Sequence, residues 1–194
     1  EFGLASLLSH RWSKTVSYFG DGIKDKGNSP TKHYYDYGLI NQEAFQNELL
    51  KTCKGIQWLN ETAKLIKSEN KISEVICSSG LKLKARLVID ASGHKSKFIK
   101  RPFLKEVAQQ AAYGIVGKFS TPPVKKDQFV LMDFRSDHLE DEELLKSPSF
   151  LYAMDLGSET YFVEETSLAS YPSFSQDHLK KRLLSRLNNK GIKV

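Results

Sequence analysis

The stretch FLYAMDLGSETYFVEETSL, residues 150–168, indicates a β-hairpin. Its two aromatic-rich runs, 150–154 and 161–165, contain residue types that favour a pleated, half-buried surface. Gly157, between the two runs, supplies the backbone freedom that a turn needs. The sequence therefore predicts two antiparallel strands joined by a turn at residues 155–158.

The second predicted strand carries two adjacent acids, Glu164 and Glu165. Because side chains alternate along a strand, the two carboxyl groups should point to opposite faces of the sheet. Phe162 should share the face of Glu164, and Tyr161 should share the face of Glu165. A carboxylic acid held among aromatic rings can stay neutral and act as a proton donor near pH 7. The alternative is that both acids are solvated residues on an edge strand.

Several separated motifs resemble one protein family. FVEET (162–166) resembles the acidic motif of lycopene cyclases, and FLYAM (150–154) precedes it at the family's spacing. The runs QAAYGIVGKF (110–119) and FVLMDFRSDHL (129–139) resemble the cyanobacterial and plastid form of that family, most closely the lycopene beta-cyclases. The similarity extends from SYFG at 17–20 to KGIKV at 190–194. The order of these motifs identifies the chain as a member of the family.

The resemblance implies a fold and a division into domains. The expected fold is α/β, of the FAD-dependent flavoprotein type with two dinucleotide-binding folds, and the chain is expected to be an internal fragment of it. Residues 1–35 are expected to form a strand and loop of the substrate domain, and residues 36–105 part of the FAD-binding domain. Residues 106–194 are expected to form a mixed-sheet substrate domain, truncated at its C-terminal end. The fragment alone is expected to be inactive and free of flavin.

The resemblance also implies a reaction. The expected activity is that of a lycopene beta-cyclase, which converts linear lycopene ends to β-ionone rings without net oxidation or reduction. Reduced FAD is the expected cofactor, and NAD(P)H the expected reductant. Glu164 is the first candidate for the acid and Glu165 the second. Tyr152, Tyr161 and Phe162 are candidate ring faces for the substrate, with a role in the core as the alternative.

Three other functions are compatible with these residues. The first is a lycopene epsilon-cyclase, which shares these motifs. The second is a flavin monooxygenase or reductase on the same scaffold. The third is a carotenoid-binding protein without catalytic activity.

A second region bears on the cofactor. The run ARLVIDASGH, residues 85–94, predicts a buried strand that ends in an acid and small residues. Small residues at the end of a strand let a ligand approach the backbone, although a plain turn explains them equally well. The family resemblance assigns Asp90, Ser92 and Gly93 to the neighbourhood of FAD, while His94 is equally a solvent-facing residue. Gln42 stands where flavoproteins of this type often carry an arginine that reaches the cofactor.

Composition limits the classes of partner. No apolar run approaches the ~20 residues that span a bilayer. The net charge of +6 comes from lysines and arginines that are scattered along the chain. The densest group, Lys180, Lys181 and Arg182, is interpreted as the polar face of one helix. A nucleic-acid partner is therefore not expected. The two cysteines and five histidines have no metal-site spacing. The expected carotenoid substrate favours peripheral association with a membrane. The expected location is the cytoplasmic side of a cyanobacterial photosynthetic membrane, or a plastid.

The remaining elements follow from local patterns. Helices are expected from Asn41 and from about Gln176 to Lys190, where Gly191 ends the second. Short strands are expected at 12–19, 56–59, 63–67, 73–77, 81–84, 110–119 and 129–134, and a loop at 20–30. Arg135, Asp137 and His138 form a charged cluster, interpreted as a structural ion pair or strand-end turn in preference to a catalytic group.

Overall fold

A computed structural model describes residues 3–19, 29–93, 96–100 and 107–194. The strands are β1 (Leu8–Trp12), β2 (Lys14–Tyr18), β3 (Thr31–His33), β4 (Tyr37–Ile40), β5 (Ala63–Glu69), β6 (Ile72–Cys77), β7 (Lys82–Ala85), β8 (Ala112–Gly117), β9 (Gln128–Asp133), β10 (Ser149–Asp155) and β11 (Tyr161–Ser167). The helices are α1 (Gln42–Thr52), α2 (Asp141–Leu144) and α3 (Gln176–Asn189), and a single 3₁₀ turn spans Leu4–Leu7.

The chain divides into two compact units. The first comprises Glu1–Leu49 and Glu106–Val194, and it contains a six-stranded sheet in the order β3-β2-β9-β10-β11-β8 beside the pair β1-β4. The second comprises Leu50–Lys105 and contains the antiparallel sheet β5-β6-β7. The domain boundaries expected from the sequence stay a prediction.

The main core of the first unit lies between its six-stranded sheet and α3. The sheet is antiparallel except for the parallel pair β2 and β9. α3 packs on β8 and β11 and buries Leu179, Leu183 and Leu187 there. The buried apolar side chains of this core are Val16, Val124, Val130, Leu151, Ala153, Val163, Leu183, Leu187 and Ile192. Burial of these side chains against one another is the main force that holds the helix on the sheet.

The predicted hairpin is present as β10 and β11. The two strands pair in continuous antiparallel register from Ser149–Ser167 to Asp155–Tyr161. The turn between them contains Gly157 at φ 81°, in the left-handed region that glycine adopts without strain. The side chain of Asp155 accepts a hydrogen bond from the Gly157 N–H at 2.9 Å, which fixes the start of the turn.

The two predicted helices are present, with the expected signals at their ends. Asn41 caps α1 by accepting a hydrogen bond from the Ala44 N–H at 3.0 Å. Ser175 caps α3 by accepting one from the His178 N–H at 3.2 Å, and Gly191 follows the helix at φ 68°. The interpretation of Arg182 as part of the polar face is wrong, because its side chain is buried with the leucines.

Three predictions of strands need correction. Residues 86–93 form no strand, because no described strand pairs with them, and Leu87 and Ile89 are 74% and 80% exposed. Residues 56–59 also form no strand. The single strand expected at 12–19 is interrupted at Ser13, so that β1 pairs with β4 while β2 joins the large sheet.

Some expectations concern residues that the structure does not describe. The expected loop at 20–30 lies mostly, at residues 20–28, outside the described residues, as does His94. None of the described helices is long and apolar enough to cross a membrane.

Candidate active site

Glu164 lies in the middle of β11, between two strands. Its register partners are Tyr152 on β10 and Gly114 on β8. The side chain is half-buried, and its Oε1 accepts a hydrogen bond from the Thr166 hydroxyl at 2.9 Å. The two side chains are two residues apart on one strand and therefore on one face of the sheet.

That face of the sheet is rich in aromatic rings, and we call it the aromatic face. By register it carries Phe129, Phe150, Tyr152, Phe162 and Glu164. The Tyr152 ring stacks on Phe129 at a centroid distance of 6.1 Å and meets the edge of Phe150 at 5.0 Å. Burial, and next the negative charge of Glu164, raise the pKa of the Tyr152 phenol, so the ring stays neutral near pH 7.

Glu165 points to the opposite face, where it is completely buried under α3. Arg186 donates two hydrogen bonds to its carboxylate, Nε to Oε2 at 2.9 Å and Nη2 to Oε1 at 3.0 Å. The Ser149 hydroxyl donates a third at 2.6 Å, and Arg182 in turn donates to Ser149 at 2.9 Å. Both oxygens of the Glu165 carboxylate therefore accept charge-assisted hydrogen bonds from side chains of the protein.

The ion pair of Glu165 continues into a network of charges. Arg182 donates to Glu143 at 3.0 Å, and Arg135 donates to Asp133 at 2.8 Å. Burial by itself would raise the pKa of Glu143, but hydrogen bonds from Lys146 and Arg182 outweigh it and lower this pKa to about 2. The same balance, dominated by Arg135 and Arg186, lowers the pKa of the buried Asp133.

The charged cluster at 135–138 belongs to this network. Arg135 pairs with Asp133, and the side chain of Asp137 accepts a hydrogen bond from Asn189 at 2.9 Å. The His138 ring is buried, and neither of its nitrogens has a hydrogen-bond partner among the described residues. Burial first, and then the charges of Arg186 and Lys190, lower the pKa of His138 to about 3.

The other candidate residues fall into separate groups. Tyr161 lies on the face of Glu165, where its ring meets Phe119 at 6.3 Å. Gln42 is the first residue of α1 and is exposed. In the second unit, Asp90 accepts hydrogen bonds from the Ser92 N–H at 3.0 Å and the Ser92 hydroxyl at 2.6 Å.

A compact turn surrounds Asp90. The Ser96 hydroxyl also donates to the Asp90 carboxylate, and Gly93 has a φ of 86°. A Cβ at Gly93 would meet no atom within 4 Å. The backbone at Ser92 and Gly93 is therefore exposed and open to the approach of a ligand.

Reasoning from the sequence missed the partners of Glu165. A signal was present, because Arg182 and Arg186 follow Leu179 at the spacing i+3 and i+7, in the same stripe as Leu183 and Leu187. Charged residues on the apolar stripe of a helix are buried only when they are paired. Two arginines in that stripe therefore predict buried carboxylates opposite them.

Comparison with known proteins assigns the family. Residues 1–194 match the model of the family described as lycopene cyclase protein. The chain belongs to the lycopene cyclase family. The assignment that the motifs at 110–119, 129–139 and 162–166 predicted is confirmed.

Two curated members show how far the similarity extends. The chain is 48% identical to the lycopene beta cyclase of Synechococcus elongatus, over 99% of the chain and 46% of that protein. It is 32% identical to the chloroplastic lycopene beta cyclase of Arabidopsis thaliana, over 98% of the chain and 38% of that protein. The chain therefore spans less than half the length of these relatives.

A solved structure of another family shares the fold. The halogenase PltM, in complex with phloroglucinol and FAD, superposes on 96% of the chain and 41% of its own length, with a TM-score of 0.58 at 8% identity. At that identity the likeness shows the fold alone. It confirms the predicted α/β fold, whereas the dependence on FAD stays a prediction.

Proposed function

We propose that the protein containing this chain is a lycopene beta-cyclase, in which Glu164 is the general acid. The observation that carries the proposal is the contrast between two adjacent carboxyl groups. Glu165 is buried and occupied by Arg186 and Ser149, whereas Glu164 lies on the aromatic face beside Tyr152. Of the two candidates, only Glu164 has a side chain that is partly exposed, and it shares its face with the rings of Tyr152 and Phe162.

The proposed reaction begins with the transfer of the Glu164 proton to the terminal double bond of lycopene. The resulting cation is attacked by a nearby double bond of the same chain, which forms the new carbon–carbon bond of a six-membered ring. Loss of one proton from the ring then gives the product. One proton is gained and one is lost, so the product is an isomer of lycopene and no net oxidation occurs.

The aromatic face suits the cationic intermediate. The faces of aromatic rings attract positive charge, and Tyr152 and Phe162 are the rings that flank Glu164 on neighbouring positions. Burial raises the pKa of the Tyr152 phenol above its ordinary value, so this ring adds no charge beside the acid near pH 7. Tyr161 lies on the opposite face and has no part in this proposal.

The proposed cofactor is FAD in its reduced form, with NAD(P)H as the reductant. Asp90, Ser92 and Gly93 would hold it through the open backbone turn of the second unit, and Gln42 stays a candidate contact on the basis of the sequence alone. When bound, reduced FAD supplies fixed negative charge that stabilises a cation. The turn at Asp90 fits this role because its exposed backbone leaves room for a ligand at Gly93.

The proposed location is the surface of a photosynthetic membrane, in a cyanobacterium or a plastid, because lycopene is soluble in lipid. The relatives from Synechococcus elongatus and from the chloroplast of Arabidopsis thaliana are consistent with this proposal. Membrane attachment would be peripheral.

The test uses the complete reading frame that contains this chain, expressed in bacteria that accumulate lycopene. Chromatography of the extracted pigments should show β-carotene. We expect Glu164→Gln to reduce ring formation by about 10²-fold or more, because the amide keeps the shape and cannot supply the proton. Flavin content should be unchanged, and Glu142→Gln, an exposed surface change, should behave as the wild type.

Each alternative has its own outcome in this experiment. Products with ε-ends would identify an epsilon-cyclase. Oxygen-dependent consumption of NADPH with unchanged lycopene would identify a flavin monooxygenase or reductase. Unchanged lycopene recovered in complex with the protein would identify a carotenoid-binding protein, and normal ring formation by Glu164→Gln would refute the assignment of the acid.

A further inference from the structure

Gly114 stands in the middle of β8, directly opposite Glu164. A Cβ at this position would lie 2.9 Å from Cε2 and 3.3 Å from Cζ of the Phe162 ring, and 3.4 Å from Cβ of Glu164. The first of these distances is shorter than real side chains allow. The end of the Phe162 ring therefore occupies the space that any other residue at position 114 would need.

A second glycine in the same strand provides a comparison. Gly117 also lies in β8, but a Cβ there would meet no atom within 4 Å. Neither glycine has a φ in the left-handed region. Glycine inside a strand weakens it, so its presence indicates a bulge or the close approach of another group. At Gly114 the approaching group is the Phe162 ring.

We propose that Gly114 is a positioning residue for ring closure, because its missing side chain lets the Phe162 ring lie across β8 beside Glu164. This inference rests on the proposed function of Glu164. The ring and the acid then bound the same space on the aromatic face, and the polyene end must fit between them. A methyl group at position 114 moves the ring and changes that space.

The expected loss concerns catalysis more than folding. The crowded atoms are at the far end of a half-buried side chain with two rotatable bonds, so the ring can move away without disturbing the backbone. Alanine also restricts the unfolded chain more than glycine does, which favours the folded state. A reacting group displaced by about 1 Å, however, can lower the rate about 10²-fold.

The experiment compares Gly114→Ala, Gly117→Ala, Phe162→Ala and the double variant Gly114→Ala/Phe162→Ala in the complete reading frame. Lycopene turnover, KM, flavin content and the unfolding midpoint are measured for each purified protein. We expect Gly114→Ala to lower kcat about tenfold or more, with KM, flavin content and midpoint close to those of the wild type. Gly117→Ala should match the wild type in all four.

The double variant tests the mechanism. If the methyl group acts through the Phe162 ring, Gly114→Ala should have no further effect in the Phe162→Ala background, as coupled neighbours require. An equal loss in both backgrounds would overturn the inference, and so would an unchanged kcat in Gly114→Ala. If flavin content or the unfolding midpoint of Gly114→Ala falls together with its activity, the inference is also overturned, because the glycine then has a structural role.

Failure of the inference and failure of the proposed function give different results. A wild-type protein that forms rings, with Glu164→Gln inactive and Gly114→Ala fully active, would overturn only the inference about Gly114. A wild-type protein that forms no rings would overturn both.

Discussion

Glu164 and Glu165 show how one residue step along a strand changes the chemistry of a carboxyl group. Alternation along the strand predicted their opposite directions from the sequence. It did not predict which of them would be occupied, because the partners of Glu165 are distant in the chain. Ser149 is 16 residues away and Arg186 is 21 residues away. Only the packed structure brings these three side chains together.

A test of the buried pair follows from its surroundings. Arg186→Met should lower the free energy of unfolding by about 3–5 kcal/mol, because it leaves the Glu165 carboxylate buried without its charged partner. Urea unfolding followed by circular dichroism would measure the change. Lys181→Met, an exposed change on the same helix, should alter it by less than about 0.5 kcal/mol.

The second half of this test removes both charges. Arg186→Met combined with Glu165→Leu should recover most of the lost stability, since no charge is then left unpaired. A single variant Arg186→Met as stable as the wild type would contradict the role of the pair.

At the scale of elements, the sequence predicted the helices and strands whose limits are marked by local residues. α3 has a capping serine, a stripe of leucines and a terminal glycine, and the hairpin has a turn glycine between two aromatic runs. Residues 86–93, which were expected to continue a buried strand, carry no such local signals. A buried strand exists only where neighbouring strands accept its hydrogen bonds, and none of the described strands does so.

A pair of leucines on α3 tests how the helix is held. Leu183 is fully buried against the sheet, and its neighbour Leu184 is only half-buried. Leu183→Ala should lower the free energy of unfolding by about 2–5 kcal/mol through the cavity that it leaves. Leu184→Ala makes the same chemical change on the same helix and should cost clearly less. Equal losses in urea unfolding would contradict the packing described for α3.

At the scale of the molecule, buried charges predict a response to acid. An unfolded histidine has a pKa of 6.5, and burial with the charges of Arg186 and Lys190 lowers that of His138 to about 3. Between these two pH values the unfolded chain binds a proton that the folded chain does not. The contribution of His138 is therefore complete above pH 6.5 and is lost as the pH falls towards 3.

The measurement is the free energy of unfolding, obtained from urea unfolding between about pH 7 and about pH 3. From pH 6.5 to 4.5 the wild type should lose about 2 kcal/mol through His138, with a slope that approaches about 1.4 kcal/mol for each pH unit. His138→Leu should remove this dependence and keep the later loss through Glu143, whose pKa falls from 4.5 to about 2 on folding. The same slope in both proteins would show that His138 is not the titrating group.

The family and its fold could be predicted because several motifs recur in order along the whole chain. The network that joins α2, β9, β10, β11 and α3 could not, because its long-range ion pairs, Arg182–Glu143 and Arg186–Glu165, depend on tertiary packing. Position 114 is a similar case: its glycine is visible in the sequence, but the ring that fills its space is 48 residues away, at position 162.

The two tryptophans of the chain lie one in each unit. Trp12 is 2% exposed, and its indole N–H donates to the Asp155 carbonyl at 2.6 Å, at the end of β10. Trp58 is 67% exposed. Trp12 should therefore emit at shorter wavelength and resist quenching by iodide. Trp58 should emit at longer wavelength and be quenched by iodide. Binding or unfolding in one unit can thus be followed optically without labels, and attributed to that unit.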